Sequence, residues 1–416
     1  MTADERTHDL VLYGATGFVG RLTAAHLAEH APPGTRIALA GRSRERLAEV
    51  RAGLPGAARD WPVLVADSSD PASLTALAAQ TRVLVSTVGP YLRHGLPVVE
   101  ACARAGTHYA DLTGEVLFVR EAIDRVDAVA RETGARIVHA CGFDSVPSDL
   151  AALMLADRAA ADGAGGLRDV RLVATVRGGF SGGTIDSGRA QLDAVGRDRS
   201  LRRLVADPFA LSPDRDAEPD TPQPPTAAPP ARDPDGRWTA PFVMASFNTR
   251  VVRRSNALQD WRYGRSFSYG EVMGTGRGLT GAVTAAGLTA ALAGAYGALS
   301  FAPARGVVDR LLPAPGSGPS EEVRRKGWFR MVVDAGTEDG RRYRATVAGR
   351  GDPGYSATAV MLGESALALA LDGDGLPDRA GSLTPATALG EVLVERLRSA
   401  GHEYGVVSLA SGPGGR

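Results

Sequence analysis

Lysine is almost absent from this chain of 416 residues, in which Lys326 is the single example. Schiff-base catalysis and P-loop phosphate binding both need a lysine in a defined context, and the surrounding EEVRRKGWFR offers neither. The Tyr-x-x-x-Lys pair of short-chain dehydrogenases is also excluded, because Glu322 stands four residues before Lys326.

Cysteine and net charge are limited as well. Cys102 and Cys141 are the only cysteines and have no Cys or His neighbours at zinc-ligand spacing, so we expect neither a disulfide framework nor a metal site. The formal net charge is +0, which argues against nucleic acid as a partner. The polar start MTADERTHDL contains no apolar signal segment, and we therefore expect a cytoplasmic location.

Short apolar runs alternate with helical segments over the first third of the chain. This rhythm predicts a parallel, doubly wound α/β sheet of Rossmann type over residues 1–145. The predicted strands are DLVLY, RIALA, PVLVA, RVLVST, THYADL and RIVHA. Asp70 as N-cap and Pro71 at the first helical position mark one of the intervening helices.

Longer strand-like runs follow and predict a second α+β domain with an antiparallel sheet over residues 146–354. The run FRMVVDAGTEDGRRYRATVAGRG is typical of a hairpin through EDG, and FNTRVVRRSNAL is interpreted as a further strand. Residues 207–236 are rich in proline and predict a mobile surface insertion. Residues 355–416 are predicted to form C-terminal helices that return to the first domain.

Residues 278–304 carry no charged side chain and meet the length condition for a membrane span. The segment is mostly alanine, glycine and threonine, with larger side chains at Leu288, Leu292, Tyr296 and Leu299 on one helical stripe. An Ala-rich buried or surface helix, an interfacial membrane helix and a wall for an apolar ligand all remain open.

The segment GATGFVG directly follows a predicted strand and opens a helix, which is typical of dinucleotide binding. Gly14 permits the tight turn, Gly17 lets the backbone approach a pyrophosphate, and Gly20 lets the helix lie close to the strand. Thr16 and Phe18 belong to the same predicted loop. The alternative is a glycine-rich turn without a nucleotide.

The end of the second strand indicates which dinucleotide binds. An NAD site usually has an acidic residue there, whereas this chain has Arg42 and Ser43 in GRSRERL. A guanidinium suits the 2′-phosphate dianion through charge-assisted contacts, so NADP(H) is the predicted cofactor. Arg44 and Arg46 either assist or belong to the solvated face of the next helix.

Further candidates lie where other predicted strands end, since ligands bind at the carboxyl ends of strands in open α/β sheets. Asp67 is predicted near the adenine, and Ser86, Val88 and Gly89 along the cofactor. Phe143 is predicted beside the substrate. Candidate proton donors are His94, Asp144 and, before a C-terminal helix, Tyr355.

In the second domain, RGGFSGGTIDSG follows a strand and opens a helix. The hydroxyls of Ser181 and Thr184 could receive a phosphate, a thioester or the nicotinamide amide. Alternatively, Ser181 only caps the helix.

Several motifs together resemble the saccharopine dehydrogenase-like oxidoreductases, and their continuation resembles the actinobacterial trans-acting enoyl reductases. The first group is DLVLYGATGFVG, AGRSRERL, STVGPYLRHG, HYADLTGE and CGFDSVPSDL, and the second includes NTRVVRRSNAL, YGRSFSYGEVM and GDPGYSATAVMLGESALALA. The resemblance implies a Rossmann domain, a second domain that covers the cofactor or dimerises, and NADPH-dependent reduction of a carbon–carbon double bond on an acyl chain built by a polyketide synthase. It also implies lipid metabolism and membrane association.

Three functions follow as hypotheses. The first is an NADPH-dependent oxidoreductase that reduces an enoyl thioester, presented by a synthase or carrier, with peripheral membrane contact through 278–304 and a homodimeric assembly. The second is a saccharopine-type amino-acid or imine dehydrogenase. The third is a non-catalytic NADPH-binding regulator, which the absence of an unambiguous acid–base group leaves open.

Overall fold

Two seven-stranded sheets organise the computed structural model, which describes residues 6–178, 182–300 and 318–409. Fourteen strands are described, and they are β1 (His8–Tyr13), β2 (Ile37–Gly41), β3 (Val63–Val65), β4 (Thr81–Ser86), β5 (His108–Asp111), β6 (Arg136–Val138), β7 (Leu167–Arg177), β8 (Ala231–Arg232), β9 (Trp238–Pro241), β10 (Ser268–Gly276), β11 (Trp328–Thr337), β12 (Arg342–Arg350), β13 (Gly381–Leu383) and β14 (Glu403–Leu409).

Helices connect these strands on both sides of the first sheet and cover the second. The α-helices of the described residues are α1 (Phe18–His30), α2 (Arg44–Ala52), α3 (Pro71–Ala79), α4 (Tyr91–Ala105), α5 (Val116–Thr133), α6 (Val146–Ala161), α7 (Gly182–Arg197), α8 (Arg199–Ala206), α9 (Ala245–Leu258), α10 (Gly278–Ser300), α11 (Glu321–Arg325), α12 (Thr358–Leu371), α13 (Pro385–Ala388) and α14 (Gly390–Ser399).

The first sheet is wholly parallel, with strand order β13-β6-β5-β4-β1-β2-β3. Strands β1, β2 and β4 are buried along most of their length, as expected for strands with helices on both faces. The six predicted strands and the Rossmann-type architecture are confirmed. The Asp70 side chain accepts the Ala72 N–H at the start of α3, as the Asp-Pro signal predicts.

The second sheet is mixed, with order β14-β12-β11-β7-β10-β9-β8. Strands β11 and β12 form the predicted antiparallel hairpin, while β7 and β10 run parallel. Helix α6 packs on one face, and the side chains of Phe329, Met331 and Val333 point into that core.

The run FNTRVVRRSNAL forms helix α9, so its interpretation as a strand is wrong. Its β-branched residues Thr249, Val251 and Val252 suggested a strand, but tertiary burial overrides this weak preference. Nearly every residue of α9 is buried, including Arg253 and Arg254.

The proline-rich segment 207–236 is anchored to the rest of the protein near its start, and its predicted mobility stays a prediction. Ala210 and Leu211 are fully buried. The arginines of α9 hold the segment through main-chain carbonyls: Arg253 donates to Pro208 O at 3.2 Å and Arg254 to Leu211 O at 2.6 Å. Composition alone could not reveal these partners, because they lie about forty residues away.

Helix α10 is the most exposed apolar element among the described residues. Leu279, Val283 and Tyr296 are 81%, 65% and 64% exposed, and over residues 278–298 only Gly281 and Ala285 are buried. By length and composition, Gly278–Ala298 could cross a membrane, and so could Pro353–Leu371. The latter is 78% buried and forms part of the core, whereas Gly278–Ala298 is 11% buried.

The C-terminal part of the chain contributes to both sheets. Helix α12 packs on α1, β13 adds a seventh strand beside β6, and β14 pairs with β12 in the second sheet. Thr384 caps α13, with Pro385 at the first helical position. The domain boundaries predicted after residues 145 and 354 stay predictions.

Candidate functional site

The glycine-rich turn joins β1 to α1 at the carboxyl edge of the parallel sheet. Gly14 has φ +90°, and a Cβ there would lie 2.7 Å from atoms of Thr87 and Val88. A Cβ on Gly20 would lie 2.3 Å from the carbonyl oxygen of Gly14. Both positions therefore require glycine for a turn this tight.

Gly17 caps α1 without a side-chain hydrogen bond, so the first N–H groups of the helix have no side-chain cap. Such a terminus carries partial positive charge and suits an anion. Thr16 and Phe18 flank it, and both are partly exposed. The turn thus offers the cradle that a dinucleotide pyrophosphate needs.

Arg42 follows β2 and is exposed, and within the described ranges it takes part in no ion pair. It is therefore available for a phosphate. The Ser43 hydroxyl accepts the Arg46 N–H at 3.2 Å and caps α2, while its predicted contact with the cofactor stays a prediction.

Asp67 and His94 lie close together on the β3 side of the sheet, where the adenosine half of a dinucleotide would lie. The Asp67 carboxylate accepts the Ser69 N–H and O–H at 2.8 and 2.7 Å, and these bonds lower its pKa. His94 Nδ1 lies 3.5 Å from Ser68 Oγ. This location does not suit His94 as a proton donor at the nicotinamide end.

The loop after β4 passes beside the glycine turn. The Thr87 hydroxyl donates to Gly14 O at 3.0 Å, and the Val88 side chain lies against the space above Gly14. Val88 and Gly89 are accessible, but Ser86 is fully buried and its hydroxyl accepts the Val88 N–H at 3.3 Å. Ser86 therefore stabilises the loop through this hydrogen bond, from a buried position.

Asp144 lies after β6, in the turn that opens α6, and the residue as a whole is partly exposed although its carboxyl is desolvated. Burial of the carboxyl raises its pKa to about 7, and the nearby negative charge of Asp111 adds to this effect. Asp144 therefore combines a position at the carboxyl edge, on the other side of the glycine turn from Arg42, with a carboxyl that is about half protonated at neutral pH.

Three residues that sequence reasoning did not select support this edge. Asp111, the last residue of β5, accepts from His139 Nδ1 at 2.7 Å and from the Ala140 N–H at 3.0 Å. Glu115 accepts the Tyr91 N–H at 2.8 Å and the hydroxyl of Ser187 at 2.6 Å, and burial raises its pKa. Their places at the ends of parallel strands could have identified Asp111 and His139.

Two predicted substrate or catalytic residues face the protein instead. Phe143 is 7% exposed and packs edge to face on Phe329 at 5.1 Å, so its ring is part of the core. Tyr355 is 3% exposed and packs on Phe18 at 4.8 Å, in a π-helical turn before α12. Ser181 and the side chain of Thr184 lie outside the described residues.

Residues just before β11, in α11 and the loop that leads to it, approach the glycine turn directly. The Arg324 guanidinium lies 5.3 Å over the Phe18 ring, and a Cβ on Gly318 would meet the same ring. The Phe143 N–H donates to Thr358 Oγ1 at 3.1 Å. The carboxyl edge of the first sheet is therefore bordered by loops from both halves of the molecule.

Comparison with known proteins places this geometry in a family. Residues 10–138 match the saccharopine dehydrogenase NADP binding domain. A Mycobacterium tuberculosis relative is 51% identical over 425 residues, covering 99% of this chain and 100% of its own. The trans-acting enoyl reductases of Mycobacterium bovis and Mycobacterium ulcerans are each 48% identical, covering 99% and 96% of this chain and 100% and 98% of their own.

The chain belongs to the trans-acting enoyl reductase family. The apo saccharopine dehydrogenase (L-Glu forming) of Saccharomyces cerevisiae has the same fold, with a TM-score of 0.56 at 14% identity, over 96% of this chain and 99% of that one. The predicted resemblance and the class of NADP-dependent oxidoreductase are confirmed. As a member of this family, the protein binds NADP(H), and the glycine cradle and the exposed Arg42 fit that cofactor.

Proposed function

We propose that this protein reduces the carbon–carbon double bond of an enoyl thioester, with Asp144 as the proton donor. The observation that carries the proposal is the position of Asp144. A carboxyl with a pKa of about 7 lies at the same sheet edge as the glycine cradle, on the side away from Arg42.

The two ends of the cofactor site have different tasks. Arg42 holds the 2′-phosphate at the β2 end, and the start of α1 holds the pyrophosphate through its N–H groups. When bound, NADPH supplies the hydride that the β-carbon of the substrate accepts. The remaining proton goes to the α-carbon, and Asp144 is placed to hold it.

The other candidate donors are less suited to this task. His94 lies beside Ser68, on the adenosine side. Tyr355 is buried against Phe18. Their roles as proton donors stay predictions, which single substitutions can test alongside Asp144.

We also propose that the protein acts at a membrane surface and contacts the lipid through helix α10. The helix presents uncharged, apolar residues to solvent over most of its circumference. Contact with lipid would remove part of this exposed apolar surface from water, which supports peripheral attachment through α10. The cytoplasmic location stays a prediction. Lipid metabolism and a homodimer stay predictions.

The test is the oxidation of NADPH and NADH by the purified protein, with enoyl thioesters of increasing chain length. We expect oxidation that depends on the enoyl thioester and prefers NADPH. Turnover with imines alone would favour an amino-acid dehydrogenase. Binding of NADPH without turnover of any enoyl, imine or carbonyl substrate would favour the non-catalytic regulator.

A further inference from the structure

One end of the second sheet carries a row of basic and aromatic side chains. Trp328 is paired with Arg177 on one neighbouring strand and with Arg350 on the other. Directly opposed residues of antiparallel strands share a face, so these three side chains lie side by side across about 10 Å. All three are exposed, Trp328 to 37%.

Helix α11 adds a further guanidinium to this row. Arg325 is exposed and ends the helix three residues before Trp328. The neighbouring cations Lys326 and Arg330 are paired with Glu322 and Glu403. In the part of the chain that the structure describes, Arg177, Arg325 and Arg350 take part in no ion pair. We call Arg177, Arg325, Trp328 and Arg350 the basic rim.

The basic rim borders the proposed reaction site. Arg324, next to Arg325, covers the ring of Phe18 at the start of α1. The Arg324 carbonyl accepts the Asp352 N–H at 2.9 Å, which ties α11 to the turn that follows Arg350. A molecule bound on the rim would therefore lie beside the cofactor cradle.

We propose that the basic rim docks an acidic carrier domain that presents the enoyl thioester, an inference that rests on the proposed function. The chain as a whole has a net charge of +0, so unpaired guanidinium groups concentrated at one site entrance provide a local positive field. Guanidinium groups bind carboxylates and phosphates in bidentate fashion. An exposed tryptophan between two arginines has the composition of a binding hot spot.

The experiment measures binding and turnover separately. Binding is followed by fluorescence anisotropy of a labelled, acidic acyl carrier domain titrated with the full-length protein. Turnover is measured with a crotonyl group carried either by that domain or by N-acetylcysteamine. The test variant is R177E/R350E, and the matched control is R168E, an exposed position at the opposite end of β7.

We expect R177E/R350E to weaken carrier binding at least about tenfold, with wild-type binding also falling as salt is added. Its turnover of the N-acetylcysteamine thioester and the behaviour of R168E should match the wild type. Equal carrier binding by the wild type and R177E/R350E, or no binding by the wild type, would overturn the proposal.

A second arm replaces the carrier with vesicles of phosphatidylglycerol. Loss of vesicle binding in R177E/R350E with unchanged carrier binding would assign the rim to a lipid surface and also overturn the proposal. The anisotropy arm needs no reaction, so failure of the proposed reductase activity remains distinguishable from failure of the docking surface.

Discussion

Arg42 and Asp144 stand at opposite ends of the predicted cofactor site. Arg42 is exposed after β2, and Asp144 is half-buried in the turn after β6. The Arg42 guanidinium is suited to bind a permanently charged phosphate, and the Asp144 carboxyl is suited to give up a proton. Substitution of each residue should therefore change a different measured quantity.

Replacing Arg42 with alanine should raise the Kd for NADPH about 10- to 100-fold. The lost charge-assisted contact is worth about 1.5–3 kcal/mol, and NADH lacks the phosphate that makes it. Fluorescence titration with both cofactors measures the effect. R104A, at an exposed position in the last turn of α4 and away from the carboxyl edge of the sheet, is the control and should bind NADPH like the wild type. Equal weakening of NADH binding by R42A would contradict the assignment.

Replacing Asp144 with asparagine should lower kcat about 10²- to 10⁴-fold, the usual contribution of a general acid. Its pKa is raised to about 7, so wild-type kcat/KM should fall as the pH rises through that value. The variant should lose this dependence. Rate profiles over pH with a fixed enoyl thioester provide the measurement.

A stability measurement separates this role from a structural one. Because the folded-state pKa exceeds the ordinary value of 3.8, Asp144 lowers the stability of the protein progressively as the pH rises from about 4 to about 7. D144N should therefore be at least as stable as the wild type at pH 8 in urea unfolding. A marked loss of stability would show that Asp144 maintains the fold instead.

Among the elements, α9 shows how buried cations organise distant segments. Arg254 is 2% exposed and donates to Leu211 O and Ser382 O, each at 2.6 Å. Burial lowers its pKa to about 9. These bonds join the proline-rich segment to a strand of the first sheet.

R254M should lower the free energy of unfolding by about 2–4 kcal/mol, since two carbonyls lose a charged donor in a buried place. Limited proteolysis should then cut within residues 207–225 more readily than in the wild type. R203M, at an exposed position on α8, is the matched control. Unchanged proteolysis in a destabilised R254M would show that the arginine does not hold this segment.

On the scale of the whole molecule, the two halves are joined by one C-terminal segment. It supplies α12 and β13 to the first sheet and β14 to the second. Among the helices that the structure describes, only α10 exposes an apolar surface to solvent over most of its length. Membrane attachment should therefore depend on α10.

The wild type should co-sediment with anionic vesicles, and L279D/V283D should remain in the supernatant. Burial of each of these side chains in lipid is worth about 1.5–3 kcal/mol, so the combined loss exceeds tenfold in partitioning. V407D, at a position on β14 that is 56% exposed, is the control. Vesicle binding that is equal in all three proteins would refute the assignment to α10.

The sequence by itself determined the parallel sheet, the glycine turn and the β11–β12 hairpin. These features depend on local periodicity, on the φ of Gly14 and on a short connection, all of which are encoded within a few residues.

The tertiary structure decided features that depend on distant partners. It placed His94 beside Ser68, turned Phe143 toward Phe329, and buried the arginines of α9 against residues 207–211. It also raised the pKa of Asp144, because desolvation depends on all the atoms around a carboxyl rather than on its neighbours in the chain. The chemistry proposed for this protein therefore depends on packing that no single motif encodes.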